Sequence, residues 1–264
     1  MYPEIAFNRQ KSNRSHERNL SGLLAALVSL IFMSCEQQPN AQNIIDAAIT
    51  AHGGQYYQNS TIEFDFRNKH FYIKQQNGLF TYKRSFRDSV GLIQDVLNND
   101  GFYREVDGAR VLLSEAEKRK FFESVNSVVY FALLPYGLND PAVQKRYLGQ
   151  ATLQNNNYYK IEVTFQKEGG GPDYQDVFVY WIHEKRKTLD YLAYYYHRNE
   201  SGSRFRQAFN QRRVNGILFA DYHNFKGPTG VTAIENHDQL FESGQLTRVS
   251  EIVLENIQVE RTPQ

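Results

Sequence analysis

The spacing of apolar residues changes several times along the chain, and each change marks a different element. Residues 1 to 19 are polar, with Arg9, Lys11, Arg14 and Arg18 against Glu4 and Glu17, and Leu20 to Met33 is then almost wholly apolar. A basic stretch followed by an apolar one is the order of a secretion signal, and this run is shorter than the roughly 20 residues a membrane-spanning helix needs. In NIIDAAITAHGG, Ile44, Ile45, Ala48 and Ile49 recur at helical spacing, which predicts a short helix packed by one face and capped by Gly53. His52, in its last turn, reads as a cation favoured by the helix C-terminus. From Thr61 to Leu113 the pattern is that of strands divided by tight turns at Asn77-Gly78, Asp100-Gly101 and Asp107-Gly108, the pairs that tolerate positive φ in hairpins.

This meander is interrupted by LSEAEKRKFFESVNSVVYFALLP, where Ser114 and Glu117 form a capping box. Phe121, Phe122, Val125, Val128, Val129 and Ala132 make an apolar stripe there, and Pro135 ends the helix. A second short helical turn is predicted near NDPAVQKRY. Strands then resume: YYKIEVTFQ alternates as a sheet with one wet face, while DVFVYWI and LDYLAYYYH, apolar or aromatic at every position, call for cover on both faces. Asn215-Gly216 closes another hairpin, and QLTRVSEIVLENIQVE supplies one or two final strands. Roughly a dozen strands, two helices and no βαβ alternation predict a mainly β fold with inserted α: a curled antiparallel sheet, an open or half barrel, wrapping an amphipathic helix and leaving a groove beside it.

The lone cysteine, Cys35, follows the apolar run directly. Ser34 is small, as cleavage before Cys35 requires, and FMSC is similar to the lipobox of bacterial lipoproteins, with Phe32 where that motif prefers leucine. The resemblance implies that Cys35 becomes a lipid-modified N-terminus; the plainer alternative is a buried cysteine on a hydrophobic helix. The expected organisation is a lipoprotein signal peptide over residues 1–34, the lipidated cysteine and tether over 35–42, and a single antiparallel β half-barrel domain over 43–264. The expected place is the cell envelope, as an outer-membrane lipoprotein facing periplasm or exterior. Residues 1–34 hold four of the chain's 30 cations and two of its 29 anions, so the remainder carries 26 against 27, a net charge of −1. Such a balance gives no electrostatic case for nucleic acid.

Signatures of the common enzyme classes are missing: there is no G-x-S-x-G, P-loop, G-x-G-x-x-G or C-x-x-C, and HEKRK lacks the second histidine of a zinc-binding H-E-x-x-H. No cofactor, metal or catalytic residue is assigned. EGGGPDYQD offers glycines for phosphate and Glu168, Asp173 and Asp176 for a hard cation, but it sits at a hairpin tip, where glycine serves the turn. RFRQAFNQRR, read as an unbroken strand, puts Arg204, Arg206, Asn210 and Arg212 on one face and Phe205, Gln207 and Phe209 on the other. Facing inward, that cationic ladder suits a carboxylate or phosphate head group; facing outward, its arginines pair with neighbouring acids. Eighteen Tyr and eighteen Phe exceed what a closed core requires, and Tyr180, Trp181, Tyr194 and Tyr196, on two adjacent strands, suit a cavity wall for lipid or sugar as well as ordinary β-propensity. Asp221, Tyr222 and His223 are the only convenient acid–base candidates, and alternation separates Tyr222 from the other two.

The lipoprotein signal, the helix ending AHGG, the meander, the inserted helix and the aromatic return together resemble the periplasmic lipoprotein-carrier (LolA/LolB-like) superfamily, whose members curl an antiparallel sheet around helices and hold acyl chains. DVLNNDGFYREVDG, SVNSVVYFALLPYGLND, EGGGPDYQDVFVYWI and RFRQAFNQRRVNGI resemble an uncharacterised family of Bacteroidota lipoproteins known as a domain of unknown function. Some of its members are labelled deoxyribose-phosphate aldolase, an activity whose enzymes are (β/α)₈ barrels with a Schiff-base lysine, a plan this strand pattern does not follow. The expected function is therefore non-catalytic: a membrane-anchored protein binding a lipid or other amphiphile through Arg204, Arg206, Asn210, Arg212, Tyr180, Trp181, Tyr194 and Tyr196. The alternatives are a hydrolase or aldolase-like enzyme and a structural partner of other proteins in an outer-membrane complex.

Overall fold

The computed structural model describes residues 39–171, 174–196, 202–228, 230 and 233–261. The expected signal segment 1–34, Cys35 and the first part of the expected tether lie outside the described residues.

Two antiparallel sheets of seven strands each carry the fold, and they do not close into a barrel. The first is a meander of β1 (Ser60–Phe66), β2 (Lys69–Gln76), β3 (Leu79–Asp88), β4 (Gly91–Asn98), β5 (Gly101–Val106) and β6 (Ala109–Val111). The second runs in chain order through β7 (Val143–Leu153), β8 (Asn156–Phe165), β9 (Val177–His183), β10 (Leu189–Tyr196), β11 (Gly202–Val214), β12 (Ile217–Lys226) and β13 (Thr247–Ile252). The final strand, β14 (Glu255–Arg261), crosses back to pair with β1, so the chain stitches the two sheets together at residues 253–254. Among the described residues three α-helices accompany them: α1 (Ala41–His52), α2 (Glu115–Ala132) and the short α3 (His237–Glu242).

Helices α1 and α2 form where the sequence signals them. Asn40 caps α1 by accepting the Gln42 N–H at 2.8 Å, and Gly53 ends it at φ 131, where an added Cβ would stand 3.0 Å from the Ile217 backbone. Ser114 and Glu117 close the capping box of α2. Val125 and Val129 of α2 are buried against Ile62, Phe64, Phe71 and Ile73 of the first sheet, whereas Tyr130 and Phe131 pack against the second. One helix thus serves both sheets, with a wider apolar arc than a single stripe. Among the described residues no helix is long and apolar enough to cross a membrane.

Strands β9 and β10 are covered on both faces, as their sequences require. Tyr180, Ile182 and Leu192 face α1 and α2, while Trp181, Tyr191 and Ala193 pack with Phe205, Ile234 and Phe241 beneath α3. The cover supplied by α3 has no counterpart in the sequence reading, because six residues are too few to show a helical period.

Three local expectations are corrected. The helical turn expected at NDPAVQKRY is a 3₁₀ turn one step earlier, Tyr136–Asn139, and Val143 onward is already β7, paired residue by residue with β8. Two-residue hairpin turns without glycine occur at Arg67-Asn68 (φ 51 and 59) and Gln154-Asn155 (φ 47 and 61). His52 is no exposed cation: it is 2% exposed, and its Nε2 accepts the Leu189 N–H at 3.0 Å. Burial lowers its pKa to about 4, so the ring is neutral near pH 7.

Candidate functional site

Between α2 and the second sheet lies a cavity of about 610 Å³ that opens to solvent. The packing of two unlike layers creates it: α2 contributes Tyr130, Phe131 and Ala132, and the facing strands contribute Phe178, Tyr194 and Tyr222. Tyr130, Phe131, Phe165, Phe178 and Tyr194 meet ring to ring at centroid separations from 5.4 to 6.4 Å. Beneath them the hydroxyls of Tyr130 and Tyr180 share a hydrogen bond of 2.7 Å, and burial raises the pKa of both phenols.

Alternation on β11 brings Arg204 and Arg206 to this wall together with Tyr194 and Tyr196 of β10. Arg206 is only 8% exposed. It donates from one terminal nitrogen to the Tyr194 hydroxyl at 3.0 Å, and its guanidinium carbon lies 3.9 Å from the centre of the Phe131 ring. Its Nε is buried without a hydrogen-bond partner, and no carboxylate among the described residues forms an ion pair with it. Arg204, nearer the rim, is half-buried, donates to the Ser203 carbonyl at 2.9 Å and sits over the Tyr196 ring.

The other half of the ladder goes elsewhere. Phe209 pairs with Asp221 and Arg212 with Phe219, so Asn210 and Gln211 together oppose Ala220 in a bulge, with Asn210 at φ 48. The extra residue inverts the alternation, and Arg212 falls on the face of Phe209 instead of that of Arg206. There Asp221, 1% exposed, accepts hydrogen bonds from Asn210 at 2.7 Å, Arg212 at 3.1 Å and the Leu254 N–H at 3.0 Å. Asn210 and Arg212 therefore brace the seam where the chain passes from β13 to β14.

Trp181 is likewise on the far face, fully buried under α3, where its indole N–H donates to Asp238 at 3.3 Å beside the Lys160–Asp238 ion pair. Tyr180 lies behind the cavity wall, reached through Tyr130. Of the acid–base candidates, Asp221 is fully engaged at the seam and His223 stacks on Phe209 with centroids 4.1 Å apart. Tyr222 faces the cavity as the diagonal neighbour of Arg206. A buried Ser203–His237 contact of 2.9 Å lies outside the lining of this cavity, with Ser203 beneath α3. Gly170 and Asp176 of the glycine-rich tip reach the cavity rim.

Tyr130, Phe131, Phe178 and Tyr222 were not assigned to the site from the sequence. For Tyr222 the signal in the sequence is incomplete, since the Asn215-Gly216 turn fixes the β11–β12 register beyond Asn210 only when the bulge is also known. Tyr130 and Phe131 lie off the stripe read on α2, because that stripe describes the face toward one sheet only.

Comparison with known proteins adds the following. Solved structures similar to this chain include a DUF1329 family protein from Desulfovibrio piger, at 13% identity and a TM-score of 0.47, with 83% of this chain and 92% of that one covered. A LolA superfamily protein from Nitrosomonas europaea is similar at 10% identity and a TM-score of 0.47, over 85% of this chain and 96% of that one. A putative outer membrane lipoprotein-sorting protein domain from Vibrio parahaemolyticus is similar at 11% identity and a TM-score of 0.31, over 70% and 86%. No curated protein matches the chain. The model of a family of unknown function, DUF6503, matches residues 23–255, nearly the whole sequence, and the protein belongs to that family.

Proposed function

We propose that this protein is a membrane-anchored lipoprotein of the periplasm or outer membrane, held by Cys35, that binds a hydrophobic or amphiphilic ligand without catalysis in the groove between α2 and the second sheet. The observation that carries the reading is the cavity of about 610 Å³, walled by aromatic rings and containing a buried arginine with no acidic partner among the described residues. Its size falls within the range of small-molecule sites, and its chemistry, a mostly apolar wall with few convergent polar groups, is what such sites use. Of the three acid–base candidates, Asp221 and His223 are absorbed in seam and packing contacts and only Tyr222 faces the cavity, which favours binding over turnover.

Native mass spectrometry of protein purified from its own cells tests this reading. A co-purified lipid or other amphiphile of discrete mass is the expected result. A ligand-free protein that also fails to take up any offered amphiphile would sink it.

A further inference from the structure

The cavity's charge and volume narrow the ligand further than its apolar wall does. Phe131 covers one face of the Arg206 guanidinium and Tyr194 takes one terminal N–H, so the remaining donors are left toward the cavity, with Nε buried and unpartnered. An isolated buried cation is unfavourable unless an anion or hydrogen-bond acceptors meet it. Tyr222, the diagonal neighbour across the β11–β12 pair, brings a hydroxyl with no hydrogen-bond partner among the described residues. Burial raises the pKa of that phenol while the Arg206 charge opposes the rise, so it is protonated and able to donate. The buried Arg206 guanidinium and the Tyr222 phenol make a donor set for the oxygens of one anionic group, either carboxylate or phosphodiester, in a lining whose other charges, Arg67, Arg204 and Asp176, leave it net positive.

The rest of the wall includes Phe66, Val128, Ala132, Ala220, Ile252 and Leu254. A methylene group takes about the room of a water molecule in the liquid, roughly 30 Å³. The cavity of about 610 Å³ therefore corresponds to on the order of 20 such units, which one long acyl chain and its head would fill.

Resting on the binding function proposed above, we infer that the ligand is a single-chain amphiphile with one negative charge, bound with its head group at Arg206 and Tyr222 and its tail along α2. The test is displacement of a dansyl-labelled fatty acid by four competitors: palmitate, hexadecanol, palmitoyl-lysophosphatidylglycerol and dipalmitoyl-phosphatidylglycerol. Palmitate or the lysolipid should compete at least tenfold better than hexadecanol, and which of the two is stronger tells a free carboxylate from a phospholipid source. The diacyl lipid should compete poorly. In Arg206→Gln the advantage of the anions over hexadecanol should shrink by about tenfold or more, the worth of a hydrogen-bonded charge, and an unshifted melting curve shows that the variant is folded. Equal binding of hexadecanol and the anions by the parent protein overturns the head-group inference but leaves the binding function standing. Tight diacyl binding overturns the single chain. Failure of the probe and of all four competitors to bind overturns the binding function itself.

Discussion

At the scale of single residues, His52 links fold to solution behaviour. Its folded pKa of about 4 lies below the unfolded value of 6.5, so the unfolded chain binds the extra proton between those values. Its contribution is fully present above pH 6.5 and is lost as pH falls toward 4, up to about 3 kcal/mol in all. Urea unfolding from pH 7 to pH 4 should show this slope, and His52→Gln should flatten it in part. A remaining slope is expected from His183 and His237, whose pKa values burial also lowers. Identical pH profiles for the two proteins would contradict a neutral, buried His52. The same scale shows what the sequence could and could not reveal. Strict alternation suffices to put Arg204 and Arg206 on one face with Tyr194 and Tyr196 on the facing strand. It fails at Arg212, because a bulge depends on cross-strand pairing, here of Asp221 with Phe209, Asn210, Arg212 and Leu254, and on nothing visible within RFRQAFNQRR itself.

Among elements, α2 decides whether the cavity exists. The helix is held to the first sheet through Val125, fully buried, and through Phe121, whose ring centre lies 3.4 Å from the Arg104 guanidinium carbon. Arg104 and Arg84 in turn clasp the buried carboxylate of Asp95 on β4. Replacing both Phe121 and Val125 with Ala should destabilise the domain by about 3 to 6 kcal/mol, since both changes remove core contacts. Chemical denaturation reads this directly, and an unshifted midpoint would mean that the stripe is not packed. The helix itself was legible from its capping box, its stripe and Pro135. Its service to two sheets was not, because periodicity reports an apolar arc without saying what covers each part of it. Hairpins at Asn-Gly and Asp-Gly were legible for a local reason, positive φ; those at Arg67-Asn68 and Gln154-Asn155 were not, because tertiary pairing of β1 with β2 and of β7 with β8 imposes the same conformation on ordinary residues.

For the whole molecule, two sheets that stay open and share one helix leave a half-open cavity where a closed barrel would have packed its interior. The placement of the chain in the cell rests on residues outside the described region. Cys35→Ala should abolish labelling by radioactive palmitate and release the protein from the membrane fraction; unchanged labelling and fractionation would remove the proposed anchor.

The most direct test of the binding site is photo-crosslinking of the purified protein with a diazirine-bearing fatty acid, followed by peptide mapping. Labels are expected on the Val128–Ala132 end of α2 and on the strands carrying Phe178, Tyr194 and Tyr222, and excess unlabelled fatty acid should suppress them. Labels confined to the far face around Trp181 and α3, or labels that excess fatty acid does not compete away, would contradict a ligand site between α2 and the second sheet.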